Sequence, residues 1–143
     1  MGIDAIEEVP ILTDKFDLFK EIKMKIAISS QGNFPDSNVD PRFGRAKYFI
    51  IYDTETDSFD VIDNVQNIQA AQGAGIQAAQ NVANQNVELV ISGNLGPKAY
   101  TTLNAAGIKI ALWSEGTVNE AIELAKSGKL QYTKGANVEG HWT

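Results

Sequence analysis

Hydrophobic residues recur with two different spacings from residue 24 onward, and these spacings divide the chain into strands and helices. Short runs dense in β-branched and aromatic residues predict five strands, at 26–30, 48–52, 59–63, 87–91 and 108–113. Longer stretches with apolar residues three or four positions apart predict three helices, at 74–83, 97–105 and 117–126. The predicted order of elements is therefore β-β-β-α-β-α-β-α.

This order indicates the fold class. A turn at 57–58 joins the second and third strands into a hairpin, and the continuous apolar runs at 87–91 and 108–113 are typical of strands covered on both faces. An antiparallel meander followed by β-α-β units implies a mixed five-stranded sheet between helices, a three-layer α/β/α fold. Thr117 and Glu120 also form a capping-box pattern at the start of the last helix.

Residues 1–23 differ from the rest of the chain. They carry six carboxylates against three lysines, and the apolar residues within 16–22 can form one short amphipathic helical face. Met24 then begins an apolar run that is typical of the start of a domain. We expect an N-terminal extension, 1–23, that is either native or the product of an upstream translation start, followed by a single domain of residues 24–143.

Composition and charge narrow the functions open to the chain. The formal net charge of −6 argues against general nucleic-acid binding, which relies on neutralisation of phosphates by Lys and Arg. No apolar run approaches the roughly 20 residues that span a bilayer, and the N-terminus lacks a signal-peptide pattern. We therefore expect a cytoplasmic protein that binds neither nucleic acid nor a membrane.

The absence of cysteine and the scarcity of histidine limit the metal chemistry. Without cysteine the chain has no disulfide, no thiolate nucleophile, no Cys-ligated zinc and no Cys-held iron–sulfur cluster. Its one histidine, His141, excludes a two-histidine site within one chain. Any metal would be held by a single imidazole, carboxylates, thioethers or backbone groups, or inside a cluster bound mostly through charge.

Three segments combine glycine with basic residues where loops are predicted. Residues 39–45 (VDPRFGR) place two guanidiniums on a turn shaped by Pro and Gly, an arrangement suited to an anion or, equally, to carboxylates of the protein surface. Glycines at 72–75 and 92–98 precede helix starts, either as backbone anion sites or as tight turns. Together at the carboxyl edge of the sheet, the three loops predict a polyanion pocket. The glycine spacing matches neither a Walker loop nor a dinucleotide fingerprint.

Four segments carry a resemblance to a known family: 39–46 (VDPRFGRA), 73–79 (GAGIQAA), 92–99 (SGNLGPKA) and 135–142 (GANVEGHW). Over about residues 24–142 the chain resembles the dinitrogenase iron–molybdenum cofactor biosynthesis family. The resemblance implies a ribonuclease-H-like fold, non-covalent binding of an anionic metal–sulfur cluster, and carriage or assembly without established catalysis. The resemblance implies a molybdenum–copper sulfide cluster as the cargo; an iron–molybdenum cofactor precursor is the alternative.

Carried over position by position, the resemblance implies a cofactor-binding set of nine residues: Arg42, Phe43, Arg45, Gly73, Ala74, Gly75, Asn94, Lys98 and His141. The two arginines would clamp the cluster, the glycine-rich turn would donate N–H groups, and Asn94 and Lys98 would line the opposite wall. His141 would cap the site if the tail folds over it, as a donor or a copper ligand; otherwise it lies on an exposed terminus.

Two other functions compete with cluster carriage. A nuclease of ribonuclease-H topology needs a carboxylate cluster for two metal ions, and the first strand ends in Ile28-Ser29-Ser30 without an acidic residue, so we expect no enzyme activity. A protein-interaction module without a cluster would use the acidic surface to reach a basic partner. For a carrier, the expected partner is a protein that receives the cluster.

Overall fold

The computed structural model describes residues 24–68 and 73–137 of the chain. The strands are β1 (Lys25–Ser30), β2 (Tyr48–Asp53), β3 (Ser58–Asp63), β4 (Leu89–Ser92) and β5 (Lys109–Leu112). The helices are α1 (Val65–Ile68), α2 (Ala74–Ala83), α3 (Pro97–Ala105) and α4 (Val118–Lys126). The predicted extension, 1–23, and His141 lie outside the described residues.

One mixed sheet contains all five strands, in the order β3-β2-β1-β4-β5. β1 pairs antiparallel with β2 and parallel with β4, so Ile28 lies opposite Ile50 on one side and Ile91 on the other. β2 pairs antiparallel with β3, and β4 pairs parallel with β5. The predicted meander followed by β-α-β units is confirmed.

Helices cover both faces of this sheet. On one face α2 and α3 pack side chains such as Ala79, Val82 and Leu103 against the strands. On the other face α4 packs Val118 and Ile122 against the strands. The small side chains of α2 let its backbone lie close to the sheet, and each large apolar side chain buried here contributes roughly 1.5–3 kcal/mol. The predicted three-layer, ribonuclease-H-like architecture is confirmed.

The structure differs from the sequence prediction at a few element ends. Helix α1 was not predicted, because four residues are too short for a helical period to be visible. β4 begins at Leu89 rather than 87, since Asn86 adopts a left-handed φ of 60° and Val87 packs into the core before the ladder begins. These differences move boundaries without changing the topology.

Strand direction places the helix starts. Because β1, β3, β4 and β5 run the same way, their carboxyl ends lie at one edge of the sheet. Helices α2, α3 and α4 all begin at this carboxyl edge. No helix within 24–68 or 73–137 is long and apolar enough to cross a membrane.

The opposite edge of the sheet is closed by a small polar cluster. The Tyr52 hydroxyl donates a hydrogen bond to the Asp57 carboxylate, and Lys126 Nζ lies 3.7 Å from Asp57 Oδ1 and 5.4 Å from the centre of the Tyr52 ring. Burial and the hydrogen bond to Asp57 raise the pKa of Tyr52, and the contact with Tyr52 raises the pKa of Lys126. This cluster joins the end of α4 to the β2–β3 hairpin.

The segment after α4 returns along the edge strand β5. Tyr132 forms a single antiparallel β-bridge with Ala111, and the Thr133 amide donates to the Ile110 carbonyl over 2.7 Å. The chain then reaches the loop after β4 at Asn137.

Candidate anion-binding site

The long loop between β1 and β2 is tied down at the carboxyl edge before it reaches its arginines. The Asp40 amide donates to the Ser29 carbonyl over 2.8 Å, and the Ser29 hydroxyl donates to the Asp40 carbonyl over 2.7 Å. Val39 and Asp40 are buried, so this part of the loop belongs to the folded core. The next residues therefore leave the sheet from a fixed point.

Asp40 then orients the first arginine. Its Oδ1 accepts the Arg42 amide at 2.9 Å and lies 3.6 Å from Arg42 Nε. The Arg42 side chain remains 53% exposed, whereas the Asp40 side chain is 4% exposed. A protein carboxylate thus does pair with Arg42, as the alternative interpretation of this loop expected. The contact that defines this pair is made through Nε.

Phe43 anchors the loop rather than lining its surface. The side chain is fully buried, and its ring centre lies 5.0 Å from that of Phe49. Its amide donates to the Asn94 carbonyl over 3.2 Å. Of the residues expected to contact a ligand, Phe43 is therefore placed in the core, with its amide bonded to the third loop. Arg45, two residues on, is half-buried.

Gly44 brings the arginine loop onto the start of α2. A Cβ at this position would lie 2.9 Å from Gly75 N and 3.0 Å from Gly75 Cα, so only glycine allows the approach. Asn64 holds the same turn from below, because its side-chain amide donates to the Gly44 carbonyl at 3.2 Å and to the Ala46 carbonyl at 2.8 Å. Asn64 is buried, and the sequence analysis did not single it out.

The third loop lies against the other side of the arginine loop. Arg42 and Asn94 form a parallel β-bridge, and a Cβ on Gly93 would come within 2.8 Å of Pro41 Cα. The structure therefore brings the three predicted loops together at the carboxyl edge. The close contact at Gly93 also supports the alternative interpretation of that glycine, in which it serves close packing.

Two helix starts at this edge have glycine N-caps. Gly73 precedes α2 with a left-handed φ of 81°, and Gly96 precedes α3, whose first residue is Pro97. Glycine has no side chain to accept the first amides of a helix, so neither start is capped in the usual way. Gly73 is exposed, while Ala74 and Gly75 are buried beneath the arginine loop.

Lys98 stands in the first turn of α3, where the helix dipole disfavours a cation. The side chain is exposed, and no carboxylate of residues 24–68 or 73–137 forms an ion pair with it. A residue that breaks a local rule without a compensating contact is typical of a ligand site. An anion bound at the edge would supply both the missing partner of Lys98 and the missing helix cap.

Asn137 ties the C-terminal segment to the third loop. Its Oδ1 accepts the Leu95 amide at 2.7 Å, and its Nδ2 donates to the Gly93 carbonyl and to Asn94 Oδ1, each at 3.1 Å. Asn137 lies within the family-like segment 135–142, but no role for it was predicted from the sequence. The only available signal was that resemblance, because the partners lie 42 to 44 residues away.

The chemistry of this edge is that of outer-sphere anion binding. In the described ranges, no three His, Cys, Asp or Glu side chains gather closely enough to hold a metal ion. The loops at this edge carry cationic side chains, a side-chain amide and helix-start amides, all of which are hydrogen-bond donors. They can bind an anion whose metals already carry their own ligands.

The fold and this edge together define a class: small three-layer α/β proteins with a glycine-rich, basic group of loops at the carboxyl ends of the strands. The chain belongs to the dinitrogenase iron–molybdenum cofactor family, whose family model matches residues 23–128. The family membership predicted from the sequence is thereby confirmed.

Individual relatives agree with this assignment. The apo form of the orange protein from Desulfovibrio gigas is 36% identical with a TM-score of 0.78, covering 80% of this chain and 97% of that one. A NifB-like protein from Thermotoga is 40% identical with a TM-score of 0.72, covering 82% and 99%. An uncharacterized protein of Methanocaldococcus jannaschii is 32% identical over 111 residues, 76% of this chain and 90% of that protein.

Proposed function

We propose that this protein binds an anionic metal–sulfur cluster non-covalently and carries it, as cargo, to a receiving protein in the cytoplasm, without catalysing a reaction. The cluster-binding domain is residues 24–143. Membership of a family described by the iron–molybdenum cofactor and the likeness to the orange protein support a cofactor-related role. The cluster type, a molybdenum–copper sulfide, is the one that the resemblance in the sequence implies.

The observation that carries this proposal is the start of α3. An exposed lysine in the first turn, behind a glycine N-cap, leaves the positive end of the helix and a cationic side chain without a described counter-charge. A bound anion removes this conflict. An anionic cluster is favoured over a bare metal ion because the chain has no cysteine, while sulfide ligands would already saturate the metals.

The three loops suggest a role for each candidate residue in binding the anion. Arg42 and Arg45 supply fixed positive charge, and Gly73, with the start of α2, offers backbone donors. Ala74 and Gly75 fix the position of that helix start. Asn94 and Lys98 form the opposite wall, and Phe43 holds the arginine loop to the core. His141 stays a proposed cap, since it lies outside the described residues.

An iron–molybdenum cofactor precursor is the second candidate cargo, and the description of the family favours it. It is likewise a sulfide-rich anion, so the same donors would hold it. The two candidates differ in metal content, and elemental analysis of the loaded protein separates them.

The test is uptake of metals by the full chain. Purified protein is mixed with tetrathiomolybdate and copper, desalted, and analysed for molybdenum, copper and visible absorption. We expect both metals to co-elute with the protein and to give bands distinct from free thiomolybdate. A metal-free, colourless protein would contradict the molybdenum–copper proposal and leave the iron–molybdenum precursor or a partner-docking role.

Paired variants locate the cargo. Arg42→Ala with Arg45→Ala should lower the half-life of the bound cluster about tenfold or more, since each lost charge-assisted hydrogen bond costs roughly 1.5–3 kcal/mol. Lys109→Ala with Lys129→Ala removes the same charge away from the carboxyl edge and should leave the half-life nearly unchanged. Equal losses in both pairs would show that the cluster responds only to net charge.

A further inference from the structure

The contacts of Asn137 leave it no spare hydrogen-bond donor for an anionic ligand. Its side-chain oxygen accepts the Leu95 amide, its side-chain nitrogen donates to the Gly93 carbonyl and to Asn94 Oδ1, and its own amide donates to the Leu95 carbonyl at 3.0 Å. An asparagine side chain has two N–H donors and both are used. Asn137 therefore acts on the loop and does not itself contact the cargo.

Asn94 is the residue that these contacts affect most. Its side-chain Oδ1 faces Asn137 Nδ2, and its main-chain oxygen accepts the Phe43 amide. Across 24–68 and 73–137, Asn94 Nδ2 donates no hydrogen bond. The side chain is half-buried beside the Arg42 bridge, at the edge where the anion is proposed to bind.

An amide presents opposite chemistry at its two ends. With its oxygen held by Asn137, Asn94 leaves a donor for a ligand; turned by 180°, it would leave an oxygen that repels an anion. The choice between the two orientations is set by the atom that residue 137 offers. Nδ2 of an asparagine at 137 selects the donor-outward orientation.

We propose that Asn137 is a positioning residue that holds the Asn94 amide with its N–H groups toward the anionic cargo. This inference rests on the proposed function, because it assigns Asn94 to the wall of that site. It adds a residue outside the three loops, carried by the C-terminal segment, on which retention of the cargo depends.

The isosteric variant Asn137→Asp separates positioning from tethering. Its carboxylate still accepts the Leu95 amide, but it cannot donate to Asn94 Oδ1, so the Asn94 amide turns to donate to the new carboxylate. The oxygen of Asn94 then faces the cargo. The variant also adds a negative charge, which has to be distinguished from the turned amide.

A double-mutant cycle makes that distinction. The wild type, Asn137→Asp, Asn94→Ala and the double variant are loaded with tetrathiomolybdate and copper, and the half-life of the bound chromophore is measured after desalting. We expect Asn137→Asp to shorten the half-life about tenfold in the wild-type background, the equivalent of about 1.4 kcal/mol. In the Asn94→Ala background the same change should cost only about twofold, from the added charge and the lost contact with the Gly93 carbonyl.

The outcomes separate the two proposals. Equal fold losses in both backgrounds, or no loss in Asn137→Asp, would overturn the positioning role and leave cluster carriage standing. A wild type that takes up no metal would overturn the proposed function and this inference with it. Thermal unfolding checks that each variant folds. Should Asn137→Asp fail to fold, the cycle is run with Asn137→Ala, which removes the Asn94 contact without adding charge.

Discussion

Helix α4 and helices α2 and α3 begin at the same edge of the sheet, but their N-termini are capped differently. At α4 the Val118 amide donates to the Ser37 carbonyl and the Asn119 amide to the Pro35 carbonyl, each over 2.9 Å. Thr117 and Glu120 complete a reciprocal capping box. The chain itself therefore satisfies the first amides of α4.

The starts of α2 and α3 lack these devices, because glycine stands at both N-caps. A glycine N-cap stabilises a helix by only a few tenths of a kcal/mol less than Ser, Thr, Asn or Asp, but it supplies no side-chain acceptor for the first amides of these two helices. The difference lies in position: the arginine loop lies against Gly75 at the start of α2 and against the loop that precedes α3, while its preceding segment, 35–38, covers the start of α4. A single long loop thus closes one helix start and places its cations beside the other two.

The largest effect is expected at the contact between the arginine loop and α2. Gly44→Ala would place a Cβ against the backbone of Gly75, so the free energy of unfolding should fall by about 1–3 kcal/mol and cluster retention with it. Denaturant unfolding measures the loss. Gly135→Ala is the matched control, since its Cβ would meet no atom within 4 Å and should change stability by less than about 0.5 kcal/mol. An unimpaired Gly44→Ala protein would contradict the close approach.

The closed helix start should matter for stability alone. Thr117→Ala removes the hydroxyl that accepts the Glu120 amide at 3.2 Å, and should lower the free energy of unfolding by about 0.5–2 kcal/mol. Thr117→Ser keeps the hydroxyl and should restore most of that loss. Metal content after loading should equal that of the wild type in both variants. Loss of metal from the folded Thr117→Ala protein would mean that α4 also faces the cargo.

The smallest and most selective effect is expected at Gly73. Asn and Asp are the side chains that best tolerate its left-handed φ, and a Cβ there meets no atom within 4 Å. Gly73→Asp should be more stable than Gly73→Asn by about 0.3–1 kcal/mol, because its charge complements the start of α2. The same charge should shorten cluster retention by about two- to fivefold relative to Gly73→Asn. Equal retention in the pair would place the anion away from α2.

Local signals account for most of the fold that could be predicted. Periodicity indicated every strand and the three long helices, and the capping box of Thr117 and Glu120 was visible as a four-residue pattern. The meeting of the three loops followed from strand direction alone. The binding roles of the nine candidate residues remain a prediction.

Contacts between distant residues account for what was missed. Asn64 and Asn137 are polar residues whose partners lie 18 to 44 positions away, so no local pattern distinguishes them from surface asparagines. Phe43 entered the candidate site through the family resemblance, although its side chain packs on Phe49 in the core. Only the assembled sheet reveals these assignments.

The chain that follows α4 has a second consequence, for solubility. A bare edge strand offers unpaired amide and carbonyl groups to other chains and promotes aggregation. Tyr132 and Thr133 pair with part of the edge strand β5 and so cover some of these groups. Four residues later the same segment holds the Asn94 loop through Asn137. Removing this segment would therefore expose the edge of β5 to self-association and also release the Asn94 loop, so solubility and cargo binding depend on the same stretch of chain.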